Sequence, residues 1–226
     1  MATQQKPAGK NFRSDLKIIV IGTSGPGKTS FVNKWTKNIF NETYKATIVS
    51  EFGFKIFDCD GKLYRIQLWD LAGQDKNATI TKIFAKDAHG CVVLADATNR
   101  ATLDETIKWK NSVDESSRFL DGGKLPCVLV ENKVDLLAED EVGNDEHLKS
   151  FAEQNEFIGS FRSSAKTGMN INESMEFLIR NVVDRMEKWE EKLLPLIERA
   201  LSLIPKLNKI KMPKKRKRKM IAVKLI

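Results

Sequence analysis

A doubly wound α/β fold is what this chain of 226 residues predicts: a six-stranded, mostly parallel sheet with one antiparallel edge strand and helices on both faces. Three observations carry it. Apolar runs of strand length alternate with amphipathic segments through residues 15–185. A Gly-rich turn links the first such run to the first helical segment. Asp60-Gly61 stands between two alternating runs, a hairpin signal that makes one edge strand antiparallel.

The elements follow in order. Leu16 to Ile21 is the first strand, and a helix begins after Lys28. Glu51 to Asp58 and the alternating Tyr64, Ile66 and Leu68 form the hairpin pair. Cys91 to Ala95, Pro126 to Val130 and Phe157 to Phe161 are short apolar runs of the kind buried on both faces of a parallel sheet. About 170 residues suffice for one such core, with a ligand at the carboxyl ends of its strands. The polar stretch 1–14 reads as a flexible tail, 15–185 as the core domain, and 186–226 as a helical and then polybasic extension.

Gly22-Thr23-Ser24-Gly25-Pro26-Gly27-Lys28-Thr29 has the spacing of a phosphate-binding loop in the right place, after a strand and opening a helix. Glycines let backbone amides curl around phosphate oxygens, Lys28 adds a point charge near the β- and γ-phosphates, and the Thr29 hydroxyl suits Mg²⁺. Partner elements follow in order. Thr47, eighteen residues after Thr29, can bring its hydroxyl to the same ion. In Trp69-Asp70-Leu71-Ala72-Gly73-Gln74, Asp70 would hold Mg²⁺ through water, Gly73 would bring its amide to a γ-phosphate, and Gln74 would orient an attacking water.

Two downstream motifs address a base. Asp135 of Asn132-Lys133-Val134-Asp135 can accept two hydrogen bonds from the N1–H and exocyclic amine of guanine, a pattern adenine lacks. A backbone amide of Ser164-Ala165-Lys166 can meet guanine O6.

With these four motifs in order, the chain resembles the Ras superfamily of small GTPases from Asp15 to about Val183, and within it the Rab family. The Trp69-Asp70-x-Ala72-Gly73-Gln74 string, Ser24 in the phosphate loop and Asp87-Ala88-His89-Gly90 carry the Rab likeness. The resemblance implies a P-loop GTPase fold and a monomeric switch that binds GTP or GDP with Mg²⁺, hydrolyses GTP slowly and regulates vesicle trafficking. It implies Ser24, Gly25, Gly27, Lys28, Thr29, Ser30, Gly73, Asn132, Lys133, Asp135, Ser164, Ala165 and Lys166 against the nucleotide, with Phe40 edge-on to the base and Tyr44 over the phosphates. Thr29, Thr47 and Asp70 would serve the metal, and Gln74, Lys28 and Gly73 the hydrolysis. The implied partners are an exchange factor, a GTPase-activating protein and effectors that read Phe52, Trp69 and Phe84; ordinary sheet-face packing is the other reading of Phe52 and Trp69.

The chain departs from the Rab pattern in three places. Pro26 removes one amide from the phosphate loop. Thr47-Ile48-Val49-Ser50-Glu51-Phe52 lacks the glycine usual after Ile48, and Gln74-Asp75-Lys76-Asn77 replaces the usual Glu-Arg-Phe after the glutamine.

Cys59, Cys91 and Cys127 lie in or beside strands without metal spacing and read as reduced, buried thiols; His89 reads as a packing residue at a strand start. Met1 to Ser14 has no signal-peptide core, Ala2 excludes N-myristoylation, and no run of 18 apolar residues spans a membrane. The expected placement is cytoplasmic, including the cytosolic face of endomembranes, with the nucleus as an alternative.

Charge divides along the chain. Residues 206–226 hold ten Lys and Arg and no acid, so a net +8 for the whole leaves −2 for residues 1–205. That argues against nucleic-acid binding by the core. The block Lys214 to Lys219 reads as a solvated tail, a nuclear-import or nucleic-acid patch, or a clamp on anionic lipid at about 1 kcal/mol per basic residue near the surface. The last cysteine is Cys127, so the sequence as written carries no terminal prenylation site. Leu196, Ile197, Ala200, Leu201, Leu203, Ile204 and Leu207 form an apolar stripe bracketed by Pro195 and Pro205, which either assists anchoring or packs back on the core. The rival to the switch is a GTP-binding scaffold without significant turnover, directed to the nucleus or to nucleic acid by this tail.

Overall fold

The computed structural model describes residues 12–42, 50–73, 78–138 and 145–203. Six strands form one sheet: β1 Phe12–Ile21, β2 Ser50–Cys59, β3 Lys62–Leu71, β4 Gly90–Asp96, β5 Cys127–Asn132 and β6 Gly159–Ser163. Their order is β2-β3-β1-β4-β5-β6, with β2 alone antiparallel to its neighbour. The helices are α1 Lys28–Lys37, α2 Ala78–Ala85, α3 Arg100–Ser116, α4 Glu146–Gln154 and α5 Ile171–Leu203. This is the expected doubly wound arrangement.

Sequence pattern explains the layers. β4 and β5 are buried at every residue, as strands covered on both faces must be, whereas β3 buries Tyr64, Ile66 and Leu68 on alternate positions. The hairpin turns at Asp60 (φ 52°) and Gly61 (φ 78°), two positive φ values in succession, the backbone that a two-residue turn between twisted strands requires. Cys59, Cys91 and Cys127 are buried free thiols.

Several boundaries differ from the sequence reading, among them β5, which runs to Asn132 and not Val130. β1 starts at Phe12, because pairing with β3 continues to Leu63 beyond the apolar run. β6 begins two residues later than the run Phe157 to Phe161. The Phe157 amide is taken by the Ala152 carbonyl at the end of α4, so its buried ring closes that helix and does not enter the sheet. Pro195 lies inside α5 and does not bound it. The carbonyl four residues back, which the proline leaves without its helical donor, belongs to exposed Glu191, where water can reach it.

Contacts divide the chain into residues 1–182 and 183–226. In the second unit Ile197 is buried and Leu196 exposed; the side chains of the stripe beyond them, and the block Lys214 to Lys219, lie outside the described residues. No helix of the described residues is long and apolar enough to cross a membrane.

Candidate functional site

The turn between β1 and α1 is shaped by backbone that side chains cannot follow. Gly22 has φ +138°, and a Cβ there would lie 2.4 Å from the Leu94 carbonyl oxygen of β4. Gly27 caps α1, whose first turn carries no acidic side chain, so its first amides and the positive end of its dipole open toward the loop. Ser24 is exposed at the tip and Ser30 half-buried in the helix. Buried Lys28 donates from Nζ to the carbonyls of Gly22 (2.9 Å) and Thr23 (2.6 Å). Burial pushes its pKa down from 10.5 to about 8, against the opposing pull of Asp70.

The far end of β3 meets this loop. Asp70 is fully buried, and its Oδ2 accepts from the Thr29 hydroxyl at 2.5 Å. Two hard oxygen donors from separate elements, side by side next to a loop of amides, suit Mg²⁺. Gly73 lies so close to the loop that a Cβ would fall 2.3 Å from the Thr23 oxygen and 2.4 Å from Lys28 Nζ. Tyr44, Thr47 and Gln74 lie outside the described residues.

On the base side one side chain holds three segments. Asn132, 1% exposed at the end of β5, donates from Nδ2 to the Pro26 carbonyl (2.8 Å). Its Oδ1 accepts from Ser163 Oγ (3.1 Å) and the Ala165 amide (3.0 Å). The proline that removes an amide from the phosphate loop thus supplies the carbonyl that ties the loop down. Lys133, at φ 71°, turns the chain and pairs through Nζ with Asp96 Oδ2 at 2.6 Å. Burial raises the Asp96 pKa, but bonds from Lys133 and Thr98 outweigh it and hold the carboxyl below its ordinary value. Asp135 is exposed in a single 3₁₀ turn, where its Oδ1 accepts from Ser164 Oγ at 2.6 Å; that hydroxyl in turn accepts from the Thr167 amide. Lys166 reaches Glu42 at 3.2 Å, and Phe40 sits half-buried in the same segment after α1.

The structure therefore brings the phosphate-loop, Asp70-to-Gly73, Asn132-to-Asp135 and Ser164-to-Lys166 segments to one end of the sheet. Asp96 and Ser163 were not singled out from the sequence; a carboxylate closing the apolar run of β4 was the available signal for the first.

A family model described as the Ras family matches residues 17–184. The chain belongs to the Ras family. It is 34% identical over 182 residues to the Ras-related protein Rab-32 of Mus musculus, covering 80% of this chain and 81% of that protein. It is 34% identical over 170 residues to the Ras-related protein Rab-7L1 of Rattus norvegicus, covering 75% and 82%. With the Ras-related protein Rab-32A of Dictyostelium discoideum it shares 36% over 169 residues, covering 74% and 77%. It is thus a Rab-like small GTPase of the Ras superfamily, a GTP-binding switch in vesicle trafficking that hydrolyses GTP to GDP.

For a Ras-family protein the low pKa of Lys28 has a measurable consequence. Between about pH 8 and 10.5 the folded, nucleotide-free chain has shed a proton that the unfolded chain still holds, so its stability rises with pH there. A phosphate bound beside Lys28 would favour the ammonium, so affinity for it runs the other way. Affinity for GDP is expected to fall about fourfold from pH 7 to 8.5, a slope absent in Lys28→Ala; calorimetric titration at fixed salt reads both.

Near the same end of the sheet, Trp69 contacts Phe52 (centroids 5.2 Å apart) and Phe84 (5.6 Å), while Lys17 Nζ lies 5.3 Å over its ring. Phe52 is 52% exposed, so the cluster is a surface and not only a packed sheet face.

Proposed function

We propose that the site divides its work between two halves joined by Asn132. Lys28 and the amides of Gly25, Gly27, Lys28, Thr29 and Ser30 hold the β- and γ-phosphates, Thr29 and Asp70 together with Thr47 hold Mg²⁺, and the Gly73 amide meets the γ-phosphate. Mg²⁺, when bound, offsets charge on the phosphate oxygens. To reach the phosphates Lys28 exchanges the carbonyls of Gly22 and Thr23 for phosphate oxygens, a change that suits a buried ammonium better than neutral acceptors do. Asp135 accepts from guanine N1–H and the exocyclic amine, the Ala165 amide meets O6, and Phe40 and Lys166 flank the base. The observation that carries this reading is the Asn132 side chain, which fastens the phosphate loop and both base-side segments to each other.

Gln74 orients the attacking water. Gln74→Leu is expected to slow single-turnover GTP hydrolysis at least about tenfold while GDP affinity stays within about twofold. Equal turnover in both proteins would remove Gln74 from this role.

Regulation follows the same division. Loss of the γ-phosphate releases the Thr47 and Gly73 segments, and an exchange factor and an activating protein set how often that happens. Effectors read Phe52, Trp69 and Phe84. The basic block Lys214 to Lys219 supplies attraction to an anionic membrane, placing the protein on the cytosolic face of an endomembrane. The family assignment does not favour the scaffold without turnover, and nothing supports the nuclear alternative.

A further inference from the structure

Both base-side segments are preceded by a charged residue that the nucleotide chemistry does not use. Glu131 precedes Asn132 at the end of β5, and Arg162 precedes Ser163 at the end of β6. The two are direct partners in the parallel register, as are Asn132 and Ser163 one position further on. Successive side chains of a strand point to opposite faces. The Asn132–Ser163 bond therefore lies on one face of the sheet and the Glu131–Arg162 pair on the other. Arg162 Nε stands 3.1 Å from Glu131 Oε2, with side chains 14% and 10% exposed, and 3.6 Å from Asp145 Oδ1 at the start of α4.

β6 needs such a clasp. It is a five-residue strand whose only neighbour among the described residues is β5, and it carries the Ser164-Ala165-Lys166 segment on its last residue. The Arg162 carbonyl also accepts from Asn170 Nδ2 at 2.7 Å, so the same residue fixes the far end of that segment. A carboxylate buried here is costly: desolvation pushes the Glu131 pKa up, opposed by Arg162, Arg100 and His147. An apolar residue would serve the core better.

We infer that Glu131 and Arg162 are positioning residues for guanine recognition: their buried ion pair pins the end of β6 to β5 so that the Ala165 amide and the Asp135 carboxylate face one base. The inference rests on the assignment of these two segments to guanine. Glu131, Asp145 and Asn170, the groups that Arg162 meets, belong to neither the proposed phosphate set nor the proposed metal set, so loss of the pair acts on base discrimination and leaves turnover alone.

The test compares GDP with inosine diphosphate, which lacks the exocyclic amine, on the full chain. In Glu131→Gln, GDP dissociation accelerates about tenfold and the GDP preference shrinks at least about threefold, while single-turnover hydrolysis of bound GTP stays within about twofold. Asp145 loses Arg162 but is 48% exposed, so the neutral double variant Glu131→Met with Arg162→Met leaves no buried charge unpaired. It keeps parental stability but still shows the reduced preference, which separates positioning from the penalty of a lone buried charge and serves if the single variant does not fold. Parental GDP preference in either variant overturns the inference, as does a fall in hydrolysis proportional to that in base preference. A parent chain that binds both nucleotides equally overturns the guanine assignment itself, and this inference with it; a discriminating parent with unchanged variants overturns the pair's role alone.

Discussion

Asn132→Ala is expected to weaken GDP binding at least about a hundredfold and to destabilise the nucleotide-free chain by about 3 kcal/mol, because it strands more than it removes. Deleting the side chain leaves the Pro26 carbonyl and the Ala165 amide in buried surroundings without their partner, each at about 1–3 kcal/mol. The Ser163 hydroxyl can rotate to another acceptor, so its share is smaller. Asn132→Asp is expected to do no better: a carboxylate still accepts from Ser163 and Ala165 but turns an oxygen toward the Pro26 carbonyl. Denaturant unfolding reads the stability loss and GDP dissociation the binding loss. A variant that loses stability without losing affinity would show that the loops are held independently.

Asp135→Asn should exchange one base for another. Guanine presents two donors to this carboxylate, and an asparagine amide offers one donor and one acceptor, so a donor meets a donor. Loss of guanine affinity of about three orders of magnitude is expected, less than the ~10⁴–10⁵-fold of a fully buried polar site because Asp135 is exposed. Xanthine carries an oxygen where guanine has its amine, and the variant should prefer its nucleotides. The substituted amide would still accept from Ser164 Oγ through its own oxygen, so the 3₁₀ turn keeps its geometry and the change stays chemical. Competition among GDP, XDP and ADP on the variant checks this; an unaltered ranking would remove Asp135 from base reading.

The parts of the site that could be read from the chain are those written in local spacing. A phosphate loop is eight consecutive residues between a strand and a helix, and Asp70 and Gly73 lie three apart at a strand end, so distance along the chain and distance in space nearly coincide. The fold was legible for a similar reason, since strand-length apolar runs and the Asp60-Gly61 turn are local. The rest depends on register. Nothing near Lys133 points to Asp96, 37 residues away, and nothing near Asn132 points to Pro26, 106 residues away; the first pairing exists because β4 and β5 end side by side, the second because β1, β4 and β5 are successive neighbours in the sheet. Glu131 fell outside the predicted run Pro126 to Val130 because a charge reads as the end of a buried strand, although its partner across β6 keeps it inside. β6 itself was misplaced by the same logic in reverse. Phe157 is apolar because it packs under a helix end, and periodicity does not distinguish that from a strand. Pro195 shows the limit of a breaker signal where exposed backbone can turn to water.

Trp69 and Asp70 are consecutive residues of β3 that face opposite sides of the sheet, one among the aromatic rings of Phe52 and Phe84, the other against Thr29. If effectors dock on Trp69 and Asp70 serves the metal, as proposed, a single peptide unit belongs to two equilibria. A shift of β3 that tightens one grip alters the other, and thermodynamic reciprocity makes the two effects equal: if GTP raises the affinity of a protein docked on Trp69 by some factor, that protein must raise the affinity for GTP by the same factor. Under the proposed assignments, the share of the chain that holds GTP at a given concentration then depends on how crowded this surface is.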